Sequence, residues 1–77
     1  MYLLTTNKLD RKPFMLMHDA IIEATREAHA AGIEWSLTEI KNHLLANKYE
    51  FANGEVNMWD LTIPTIDSPF NITIWET

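Results

Sequence analysis

Trp35-Ser36-Leu37-Thr38-Glu39-Ile40 constrains this chain more than any other stretch, because it carries every part of a helix start. Ser36 as N-cap accepts from the backbone N–H of Glu39. The Glu39 carboxylate reaches back to the N–H of Ser36, and Trp35 and Ile40 stand at the two positions of a hydrophobic staple. Upstream, Phe14, Met17, Ile21, Ala24, Ala28 and Ala31 recur at spacings of three and four, with Ile22 widening the stripe, which predicts an amphipathic helix. Pro13 suits its first turn, and Gly32 suits the left-handed residue that stops it. The second helix runs over 37–46, with Leu37, Ile40, Leu44 and Leu45 toward the core and Asn47 at its end. So short a link makes the two helices packing neighbours.

The remaining elements read as strands. Residues 2–6 form a short one and residues 7–12 a polar loop. Asn53-Gly54 is the strongest hairpin signal, since both residues tolerate the positive φ of a type I′ turn. That turn sets Phe51 opposite Val56 and Tyr49 opposite Met58, all on one face, with Glu50, Asn57 and Trp59 on the other. Leu61 and Ile63 share the parity of Trp59 and not that of Met58, so a bulge, a strand end or burial of both faces is expected near Trp59. Pro64 closes the run, 65–69 is a loop, and 71–75 is a final strand with Ile72 and Ile74 on one face and Trp75 on the other. The fold class is α+β in the order β-α-α-β-β-β, two packed helices against a small antiparallel sheet, in one domain spanning 1–77.

Composition narrows the chemistry. With 77 residues and no cysteine, stability must come from packing, and three Trp, three Phe and two Tyr supply the bulk. His18, His29 and His43 are too far apart for a helical zinc pair, the two glycines lie far apart, and neither Ser36 nor Ser68 sits in a nucleophile elbow. No catalytic residue, metal or cofactor is expected. No apolar run approaches a membrane span, and Met-Tyr-Leu-Leu lacks the basic start of a signal peptide, so the cytoplasm is the expected location.

Two helices followed by a hairpin, with Ser36 to Leu45 reading as one helix, resemble a winged-helix domain in outline. That resemblance would imply DNA binding by a transcriptional regulator. The chain departs from the pattern in having no third helix after Leu45 and in carrying Glu50 and Glu55 where a wing carries basic residues. The net charge of −5 also weakens attraction to phosphate backbones. Direct nucleic-acid binding is therefore the second reading.

The first reading is a non-enzymatic module that regulates or inhibits a basic protein. Asp19, Glu23 and Glu27 stand at i, i+4 and i+8 on the first helix, either as a solvated face or as a contact for a basic groove. Trp59 is either turned into the core or exposed beside Glu50 as an interface anchor; the second alternative is the one that would carry function. Trp75 is a further anchor, and a C-terminal edge strand bearing it would allow a homodimer. The candidate partner-binding residues are thus Trp59, Glu50, Glu55, Asp19, Glu23, Glu27 and Trp75. Small acidic chains also serve as inhibitors of nucleic-acid-handling proteins, in phages among others, a likeness of size and charge alone.

Overall fold

The computed structural model describes residues 1–50 and 57–77, Glu50 by its backbone alone. The turn at Asn53-Gly54, Phe51, Val56 and Glu55 lie outside the described residues. Five strands, β1 (Tyr2–Thr6), β2 (Lys12–Phe14), β3 (Lys48–Glu50), β4 (Asn57–Ile63) and β5 (Phe70–Glu76), make one antiparallel sheet in the order β2-β1-β5-β4-β3. Two helices, α1 (Met17–Ala30) and α2 (Leu37–Ala46), cover one face. The expected α+β fold is present, with one added strand.

That strand is the first correction. The polar segment after β1 turns back at once, and Pro13 lies in β2 opposite Leu3, not in a helical turn. An edge strand tolerates proline because one side of its backbone has no neighbour to bond. α1 therefore starts later, at Met17, behind Leu16, which gives no side-chain cap. Its buried side is small: Ala20, Ala24 and Ala28 have no exposed surface, and Ile21 is almost fully buried. Alanines four apart let the helix axis lie close to the strands beneath. Ala31, expected in the stripe, is exposed beyond the last turn.

The boundaries read at Gly32 and Ser36 are both present. Gly32 has φ +87°, its N–H donates to the carbonyl of His29, and the next N–H, that of Ile33, donates to the carbonyl of Ala28. These two bonds make a Schellman motif, and buried Ile33 supplies its apolar contact. At α2 the N–H of Glu39 donates to Ser36 Oγ and the N–H of Ser36 to Glu39 Oε1, each at 3.1 Å. Trp35 lies against the His43 ring with centroids 4.7 Å apart. Leu45, expected toward the core, is exposed. β3 begins two residues beyond α2, with no third helix between.

The core lies between helices and sheet. Leu4, Trp59, Leu61, Ile63, Phe70, Ile72 and Ile74 project toward Ala20, Ile21, Ala24, Ala28, Ile40 and Leu44. The register shows why: Leu4, Ile74 and Trp59 stand side by side across three strands, as do Thr6, Ile72 and Leu61. β4 runs through Met58 and Trp59 with unbroken pairing to β5, so the apparent change of parity is not a bulge. Trp59, Leu61 and Ile63 all face inward, and Met58 faces outward.

Candidate functional site

Because side chains alternate along a strand, the register also fixes the face that the helices leave uncovered. Pro13, Leu3, Trp75, Met58 and Tyr49 form one row across all five strands. Leu3, Trp75 and Met58 are half-buried, and Tyr49 is 52% exposed. The next row along the strands is Thr5, Thr73 and Asp60, and beyond it stand Asn71 and Thr62. Thr73 Oγ1 donates to Asp60 Oδ1 at 3.2 Å and Thr62 Oγ1 to Asn71 Oδ1 at 3.0 Å. The uncovered face therefore passes from apolar to hydroxyl-rich within two residues. An open concavity of about 540 Å³ lies on it, lined by Leu3, Thr5, Arg11, Thr73, Trp75 and Thr77.

The residues singled out from sequence are not gathered here. Trp59 is 6% exposed and packs on the helix side, with the Tyr2 ring 6.3 Å away and Lys48 Nζ 5.6 Å above its own ring. It is a core residue, which corrects the expectation of an exposed anchor. Pairing parity was read correctly, but the helices cover the face bearing Trp59, opposite to the one expected. Trp75 does project from the uncovered face. It is not on an edge, however: β5 pairs with β1 on one side and β4 on the other. The proposed dimer through a C-terminal edge strand has no such edge to use; the edges are β2 and β3.

The acidic residues are divided. Glu50 stands opposite Asn57 in the β3–β4 register, and Glu55 is outside the described residues. Asp19, Glu23 and Glu27 lie on α1, across the sheet from Trp75. Glu23 is no free carboxylate: Lys12 Nζ of β2 donates to it at 2.9 Å. Glu27 is half-buried and Asp19 exposed. The row of α1 carboxylates and the apolar row thus cannot touch the same small surface of a partner.

The best-knit polar cluster went unnoticed in the sequence. Asn57 Nδ2 donates to Glu76 Oε1 at 2.7 Å, and the Tyr2 hydroxyl donates to Glu76 Oε2 at 3.2 Å. The Asn57 and Tyr2 bonds hold the Glu76 carboxyl below its ordinary value, with Lys48 adding to this and desolvation opposing it. The same carboxylate, by hydrogen bond and by charge, pushes the Tyr2 hydroxyl up. These residues share one row, Tyr2 opposite Glu76 and Glu76 opposite Asn57, and only the register reveals it.

Among the described residues no group of three His, Asp or Glu could hold a metal, and no helix is long and apolar enough to cross a membrane. Several basic residues are engaged by groups of the chain itself: Arg11 with Asp10, Lys12 with Glu23, and Lys48 over Trp59. No protein family, curated protein or solved structure matches this chain.

Proposed function

We propose that this protein is a non-enzymatic interaction module that docks on a basic protein through the uncovered face of its sheet and regulates or inhibits that partner by occlusion. The observation that carries the reading is the apolar row Leu3, Trp75, Met58 and Tyr49, continuous across four strands and, among the described residues, without a covering helix. An aromatic side chain at the centre of such a row is the usual anchor of an interface. Asp60 in the adjoining row and the net charge of −5 match a basic partner. Asp19, Glu23 and Glu27 act at a distance, by steering association.

A second copy of the chain fits the face less well. Among the described residues the row is about 14 Å long at ordinary strand spacing and one side chain wide, far short of the roughly 800 Å² per partner of a standard stable interface. Two copies would also bring like net charges together. The partner complex is accordingly a transient one, helped by opposite charge.

The test is affinity capture from native lysate with wild-type and Trp75→Ser baits, followed by binding kinetics on what is captured. A basic protein bound by the wild type, released faster from Trp75→Ser and bound more weakly in high salt, is the expected result. Equal capture by both baits would overturn the reading, and retention of duplex DNA with a steep salt dependence would favour the DNA-binding alternative.

A further inference from the structure

The concavity beside Trp75 has a composition of its own. Its floor is made by Leu3 and Trp75, direct neighbours across β1 and β5. One step along the strands stand Thr5 and Thr73, also direct neighbours, which add hydroxyl groups. Its volume of about 540 Å³ is that of a small-molecule site and exceeds what one inserted side chain fills. Among the described residues that line it, Arg11, from the turn between β1 and β2, is the one with a charged side chain.

Two features fix Arg11 at this rim. Its backbone N–H donates to Thr5 Oγ1 at 3.2 Å, and Thr5 is itself part of the lining. It is also the one non-glycine residue with positive φ, +52°, among the described residues. Its ion pair uses Nε alone, 3.3 Å from Asp10 Oδ1, with both side chains more than two-thirds exposed at 71% and 81%. An exposed pair of this kind holds little energy. A ligand carboxylate engaging the guanidinium fork through two parallel bonds is the stronger partner.

We propose that this concavity binds a small organic carboxylate with an aromatic or aliphatic body. The body lies on Leu3 and Trp75, and the carboxylate pairs with Arg11. The net charge of −5 repels anions at long range, so recognition depends on the contact with Arg11 and the apolar floor together. Neither half suffices: an apolar molecule of the same size leaves the guanidinium to solvent, and a bare anion gains nothing from the apolar floor. The site does not depend on whether a protein partner docks on the same face.

The experiment is a titration of the isotope-labelled full chain with 3-phenylpropionate, followed by backbone amide and indole N–H shifts, with 3-phenylpropanol as the uncharged control. Saturable shifts at Leu3, Arg11, Thr73 and Trp75 are expected, with the alcohol and the Arg11→Gln variant each weaker by about tenfold. Arg11 is exposed, so an unchanged spectrum away from the turn will confirm that this variant is folded. The proposal is overturned by equal binding of acid and alcohol, by unchanged affinity in Arg11→Gln, or by the absence of saturable shifts in the wild type.

Discussion

β5 shows both faces of the sheet in one strand. Phe70, Ile72 and Ile74 look toward the helices and are almost fully buried. Asn71, Thr73 and Trp75 look away, and none of them is. On the covered face the apolar residues fill several rows, and α1 meets them with alanines. On the other face, among the described residues, one apolar row across the strands stands beside threonines and Asp60. The difference teaches that apolar content alone does not mark a core. Burial follows where several rows coincide and a helix has a small enough side to reach them.

The sharpest way to break this comparison is to shorten one tryptophan on each face. Trp59→Ala should lose about 3–5 kcal/mol, the range for deleting a large buried side chain. Trp75→Ala should lose about 1 kcal/mol, nearer to a surface substitution. Urea unfolding of both would settle it, and similar losses would mean that the two faces are not as different as described. An effect smaller than that of Trp59→Ala is expected at Gly32, where no atom lies within 4 Å of an added Cβ and the backbone alone resists. Gly32→Ala should cost about 1–2 kcal/mol through the left-handed φ, loosening the end of α1 over the covered face. Ser36→Ala, which opens the capping box, should cost about 1 kcal/mol. Thermal melts compare the two, and a neutral Gly32→Ala would contradict the Schellman geometry.

The smallest and most specific change concerns pH. Glu76 has a lowered pKa, so its network favours folding when ionised. The contribution is full above the ordinary value of 4.5 and is lost as the pH falls through the lowered native value. Glu76→Gln should therefore flatten the acid limb of stability against pH. Tyr2 has a raised pKa, so its contribution is full below 10.0 and disappears as the pH rises through the native value. Tyr2→Phe should remove that alkaline limb. Denaturant midpoints across the pH range report both, and a Glu76→Gln profile parallel to wild type would dismiss the network.

What the sequence made legible was local. Ser36 with Glu39, Gly32, and the pairing of Tyr49 with Met58 each depend on residues close in the chain, and all are present. Alternation told which side chains share a face. It could not tell which face the helices would take, because Met58 and Trp59 are both large and apolar, and so the core and the exposed position both stay open for Trp59 until the structure shows it buried. β2 escaped notice because three residues containing a proline carry no alternating pattern. The apolar row escaped because its members come from strands far apart in sequence. Trp75 alone of the candidate residues lies in it, and its outward direction was readable from Ile72 and Ile74.

The place of β5 has a consequence in time. It follows every other described strand in the chain, yet it joins β1 to β4. Until it arrives, β2–β1 and β4–β3 are separate two-stranded ribbons, each marginal in water by itself. A ribosome delivers the chain from its N-terminus, so both helices emerge before the surface that they cover exists. Pairing Leu3 with Trp75 then joins residues far apart in sequence, the kind of distant contact that slows folding. The two ribbons become one sheet only when β5 pairs with both of them.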